Sequence, residues 1–181
     1  MMGVSRLRYR AAVLAACVLL GAAGEKPPIG LGTPLTAEAV RPFDIDARAD
    51  GAGLPAGSGT VQQGEALFAE RCASCHGEKG EHPISPTLRL TGGAGTLATA
   101  NAVQTVGSYW PYATTLYDYI HRAMPFNAPE SLSADEVYAV TAYVLFLNGI
   151  VKADQTLDAA SLPKVAMPNR EGFVPAYRAG Q

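Results

Sequence analysis

Apolar residues recur at helical spacing in three stretches of the chain. From Val61 to Ala73, Gly64, Leu67 and Phe68 offer one contact face, and the glycine would let a second helix approach closely. Thr60 and Gln63 stand where a capping box starts such a helix. From Ser133 to about Asn148, Val137, Val140, Val144 and Leu147 mark a buried stripe. Ser133 and Glu136 form a second capping box, Asp135 complements the helix N-terminus, and Asn148-Gly149 supplies the stop. A shorter helix is expected from Thr115 to Ala123, with Thr115 and Asp118 in cap positions. Between these stretches, Gly77, Gly80, Pro83, Pro86, Gly92, Gly93 and Gly95 argue for irregular chain. No strand is expected. The pattern predicts an all-α domain over residues 60–150, with a core small enough to need a staple.

The ends of the chain read differently. Arg6, Arg8 and Arg10 precede an apolar run from Ala11 to Gly24, which is too short to span a membrane and ends in small residues. Residues 1–24 are therefore expected to be a cleaved export signal. Leu14-Ala15-Ala16-Cys17 offers the alternative of a lipoprotein box. Beyond the signal, 11 basic residues face 16 acidic ones, which excludes a strongly basic nucleic-acid binder. Only 17% of the chain is charged, and 19 glycines and 13 prolines point to long arms at residues 25–59 and 151–181. Those arms carry Phe43, Ile45, Leu157, Leu162, Val165, Met167, Phe173, Val174 and Tyr177, too many apolar groups for free tails. They are expected to lie on a partner subunit or on the domain itself.

Chemistry enters with the cysteines. After signal removal only Cys72 and Cys75 remain, in Cys72-Ala73-Ser74-Cys75-His76. A disulfide across so short a loop would stabilise little, and a redox pair of the thioredoxin type belongs beside a βαβ pattern that is absent here. The adjoining histidine decides the matter, because CxxCH is the attachment sequence of c-type haem. Two thiols on one helical turn can each form a thioether to a haem vinyl group. His76 then lies under the ring as the proximal ligand, its other nitrogen needing an acceptor.

The sixth iron ligand has four candidates: Met124, Met167, His82 and His121. Met124-Pro125 follows the short helix and can cross the open face opposite His76, where a thioether favours ferrous iron. Met167-Pro168 sits in the proline-rich tail and suits an apolar contact on a partner or domain surface. His121 suits a helix surface or a propionate, and His82 a solvated loop. Around the ring, the Pro86 carbonyl is expected to accept the His76 ring N–H while Leu88 packs on the haem. Arg89, Tyr109, Trp110 and Tyr112 are candidate propionate donors, the aromatics serving equally well as core.

Gly64-Glu65-Ala66-Leu67-Phe68, the Cys72–Gly77 motif, Pro86-x-Leu88 and Met124-Pro125 before an aromatic-rich last helix resemble a class I cytochrome c. Thr105 to Leu116, Ala123 to Phe126, Leu132 to Gly149 and Leu162 to Arg170 are similar to the cytochrome subunit of bacterial sulfite and sulfane dehydrogenases. The resemblance implies one covalent haem c that receives electrons from a molybdenum-cofactor subunit and reduces a downstream periplasmic cytochrome c. It departs from relatives of the sulfane type that carry a second haem domain, since this chain has a single CxxCH. A free-standing carrier, and a haem enzyme or small-gas binder with an open sixth position, are the alternatives.

Overall fold

The computed structural model describes residues 32–174. The expected signal, Cys17 and Tyr177 lie outside these residues. Two compact units divide between Arg41 and Pro42. The described part of the first contains one short helix, α1 (Ala37–Val40), whose preceding Thr36 hydroxyl accepts the Ala39 N–H. The second contains β1 (Ser58–Thr60), α2 (Val61–Arg71), α3 (Ala73–His76), α4 (Ala113–Ala123), α5 (Ala134–Leu147) and β2 (Thr156–Asp158). Single 3-10 turns sit at Pro86–Leu88 and Leu162–Lys164. This is the all-α fold that the sequence pattern predicts, and the class I cytochrome c-like one that the resemblance implies.

Both expected capping boxes are formed. Thr60 Oγ1 accepts the Gln63 N–H at 3.1 Å and Gln63 Oε1 accepts the Thr60 N–H at 2.9 Å. Ser133 and Glu136 repeat the exchange at the start of α5. The two helices cross at Gly64, where a Cβ would sit 1.9 Å from the Ala139 carbonyl oxygen. Phe68 then reaches Tyr143, with ring centroids 5.3 Å apart.

Helix α5 is buried through the whole run from Val137 to Leu145, not along one stripe. The reason is its central place: α2, α4, β1 and β2 all pack on it. A helix enclosed on every side can be apolar all round.

Helix α4 begins at Ala113, earlier than expected, and its N-cap residue Tyr112 supplies no side-chain hydrogen bond. Thr115 is already inside the helix and exposed. Asp118 caps nothing. It is buried, accepts the Ala47 N–H at 2.8 Å and is ion-paired to Arg122. Burial of a carboxylate is tolerable because both kinds of donor reach it.

The absence of strands is corrected as well. β1 and β2 form an antiparallel ladder with Ser58 opposite Asp158, Gly59 opposite Leu157 and Thr60 opposite Thr156. Three residues are too few to display alternation, and the pairing joins segments about a hundred positions apart.

The ladder also fixes where the arms go. Ser58 N–H donates to Asp135 Oδ1 at 2.7 Å and the Tyr138 hydroxyl to the Pro55 carbonyl at 2.9 Å. Leu157, Leu162, Val165 and Met167 enter the same buried cluster as Phe68 and Val137. Residues on both sides of the 60–150 span thus close over its core. Among the described residues, no helix is long and apolar enough to cross a membrane.

Candidate haem site

The site begins where α2 ends. Cys72 leaves helical geometry, with φ −121° and ψ −36°, and α3 follows as one further turn. Its N–H still bonds to the Phe68 carbonyl at 2.9 Å, while its own carbonyl accepts from Cys75 N at 3.1 Å and His76 N at 3.0 Å. The Phe68 side of α2 is locked in the core, so the cysteine turn inherits a fixed base. Both cysteines are free thiols, Cys72 half-buried and Cys75 exposed. Burial pushes the Cys72 thiol up to about 11, against a smaller opposing pull from Arg71.

His76 is oriented by its backbone surroundings. Its Nδ1 lies 2.6 Å from the Leu88 carbonyl oxygen. A carbonyl only accepts, so Nδ1 carries the proton and Nε2 keeps a free lone pair. The expected acceptor, the Pro86 carbonyl, is engaged instead with Arg89 N at 3.4 Å. The 3-10 turn at Pro86–Leu88 explains the difference, because it engages the Pro86 carbonyl within the turn, and the carbonyl at the end of the turn, that of Leu88, meets the ring. Leu88 is half-buried, while Pro86 and Arg89 are exposed.

The candidate sixth ligand closes α4. Met124 is its C-cap residue, with φ −123° and ψ 146°, and its N–H bonds to the Ile120 carbonyl at 3.0 Å. The side chain is half-buried against the core cluster, and the following Phe126 is 86% exposed. His121 is half-buried, not on the surface, with its ring 5.9 Å from that of Tyr117. Met167 is 4% exposed inside the core, and His82 sits on the exposed loop as expected. Only Met124 combines partial exposure with a flexible thioether.

Trp110 is half-buried on the core and meets Tyr119 edge-on at 5.7 Å. Tyr109 and Tyr112 both engage the C-terminal segment. The Tyr109 carbonyl accepts from Asn169 Nδ2 at 2.7 Å, its ring meets Phe173 at 5.1 Å, and the Arg170 guanidinium lies 4.9 Å above the Tyr112 ring. Sequence reasoning passed over Asn169, Thr91 and Asn148, each of which bonds a backbone carbonyl of a surrounding loop. An isolated Asn or Thr carries no periodic signal that would single it out.

These residues fit a c-type haem. Free thiols stand on one turn, an imidazole presents a free Nε2, and Cys72, Ala73, Leu90, Trp110 and Met124 are half-buried apolar groups packed against the core. Half-buried apolar groups are what a flat apolar ring can cover. Cys72 and Cys75 would hold it covalently and His76 from below.

Comparison with known proteins agrees. Residues 59–144 match the family described as cytochrome C oxidase, cbb3-type, subunit III. A chain in the crystal structure of the sulfane dehydrogenase SoxCD from Paracoccus pantotrophus is 44% identical, with a TM-score of 0.76, the match covering 84% of this chain and 75% of that one. The chain therefore belongs to the class I cytochrome c family, as an electron-transfer cytochrome related to the cytochrome subunit of bacterial sulfane dehydrogenase.

Proposed function

We propose that this chain is the haem-bearing subunit of a sulfite or sulfane dehydrogenase. It accepts electrons from a molybdenum-cofactor subunit and passes them to a downstream cytochrome c in the periplasm, after export by the segment 1–24. Bound haem c supplies a one-electron ferric–ferrous couple. The chain's part is to hold it through Cys72, Cys75, His76 and Met124, and to keep water from its face with Leu88, Leu90 and Trp110. The observation that carries this reading is the His76 ring, held by the Leu88 carbonyl 2.6 Å from its Nδ1. A pre-oriented ligand ring costs no rearrangement when the iron changes oxidation state, as a carrier requires. A closed sixth position at Met124 favours transfer of electrons over binding of gases.

The test is the oxidised and reduced absorption spectrum of the exported, haem-loaded protein beside its Met124→Ala variant. A low-spin wild type with the weak far-red band of sulfur-ligated ferric haem, lost in the variant, supports the carrier. The variant's potential should fall, since the thioether favours ferrous iron. A high-spin wild type would overturn the reading in favour of an open haem. Co-purification of the native protein with a molybdenum protein supports the partner, and purification alone would favour a free-standing carrier.

A further inference from the structure

We infer that Asn148 is a positioning residue for His76, tying the end of α5 to the segment whose carbonyl orients the proximal ring. The inference rests on His76 being an iron ligand.

The side-chain amide of Asn148 donates twice. Nδ2 reaches the Val144 carbonyl at 2.9 Å and the Leu90 carbonyl at 3.2 Å. Both partners are acceptors, so the nitrogen must be the atom that faces them. One bond closes the open end of the asparagine's own helix, and the other leaves it, 58 residues away in sequence. Leu90 lies two positions after Leu88, whose carbonyl holds His76 Nδ1 at 2.6 Å.

The segment from Leu88 to Thr91 has no regular structure beyond the end of the 3-10 turn at Pro86–Leu88. Apart from the bonds of that turn and the one to His76, its ties run to the neighbouring loop: Leu90 N–H to the Gly80 carbonyl at 3.0 Å, and the Thr91 hydroxyl to the same carbonyl at 3.2 Å. That loop is as irregular as the segment it holds. Asn148 is its hydrogen bond to the buried helix α5. A third segment meets the same amide. A Cβ on Gly107 would lie 2.3 Å from Asn148 Oδ1, so the Thr105–Ser108 turn is seated directly against it. The stretch carrying Tyr109 and Trp110 starts there.

The consequence is electronic. A firm Nδ1–H···O=C bond makes the imidazole a stronger donor and favours ferric iron, so slackening the Leu88 carbonyl should raise the reduction potential. The haem-loaded Asn148→Asp and Asn148→Ala proteins test this by redox titration and by solvent exchange of the His76 ring N–H. Asn148→Asp keeps the shape and loses both donors. Ser133→Ala is the comparison, since it loosens the far end of the same helix without touching Leu90.

Both Asn148 variants are expected to show a higher potential and His76 N–H exchange at least tenfold faster, with the low-spin spectrum retained. Ser133→Ala is expected to show neither. Potentials and exchange rates equal to wild type in both Asn148 variants would overturn the inference. So would equal shifts in Ser133→Ala, which would reduce the effect to general loosening. A wild type without a histidine-ligated haem would instead overturn the reading beneath it, and the two failures are told apart by the wild-type spectrum alone.

Discussion

The α2–α5 crossing and the stretch from Gly77 to Tyr112 are held by different forces. At the crossing, Phe68, Val137, Tyr138 and Val144 are almost wholly removed from water, and Gly64 lets the backbones touch. In the second region regular structure is limited to one 3-10 turn, and its shape comes from separate polar bonds: His76 to Leu88, Leu90 and Thr91 to Gly80, Asn148 to Leu90, Thr105 to the Gly92 carbonyl at 2.6 Å. Burial is additive and forgiving of small displacement, whereas a hydrogen bond weakens steeply with angle and distance. An error in the crossing therefore costs stability. In the loops, an error of the same size costs less stability and changes how the iron would be held.

The largest effect separating the two regions should come from Cys72→Ser with Cys75→Ser. Covalent haem, read by haem staining after denaturing electrophoresis, is expected to vanish. The α2–α5 crossing should survive in a folded core that is weakened by the missing staple. Next comes Phe68→Ala, which empties the centre of the crossing. A buried Phe replaced by Ala typically costs about 3–5 kcal/mol, measurable in denaturant unfolding. In molecules that remain folded, the haem spectrum should be unchanged. Thr91→Val removes a buried hydroxyl donor in the second region, for about 1 kcal/mol. It should be accompanied by a shift in reduction potential that Phe68→Ala lacks, and a flat potential would break the contrast between the regions.

Ser133→Ala should cost about 1 kcal/mol as a lost N-cap. Its pH dependence sharpens the assignment. The backbone N–H and hydroxyl of Ser133 hold the Glu136 carboxyl below its ordinary 4.5. A lowered folded pKa gives stability that is present above the ordinary value and lost as pH falls through the folded one. The gap between wild type and Ser133→Ala should thus be full at neutral pH and narrow on acidification below 4.5. A gap independent of pH would mean that the Ser133 hydroxyl does not hold the Glu136 carboxylate.

The crossing was far more legible in the sequence than the loops. Capping boxes, the Gly64 contact and the end of α5 at Asn148 all follow from spacing within a few residues. CxxCH works the same way, since attachment chemistry demands two thiols and an imidazole on one turn. Asp118 misled because a carboxylate near a helix start looks like a cap until Ala47, 71 residues away, is seen donating to it. The His76 acceptor was misplaced by two residues for a similar reason. The 3-10 turn that engages the Pro86 carbonyl depends on how the loop folds back, not on its composition.

The sequence by itself determined the class of fold, the three main helices with two of their caps, and the CxxCH turn. Each is local, written in residues within one or two turns of one another. Tertiary structure decided that β1 meets β2, that Met167 joins the core, that Leu88 and not Pro86 faces His76, and that Asn148 reaches the same segment. Those contacts join positions far apart in the chain, and their energy appears only once the helices have brought the partners within hydrogen-bonding or van der Waals range.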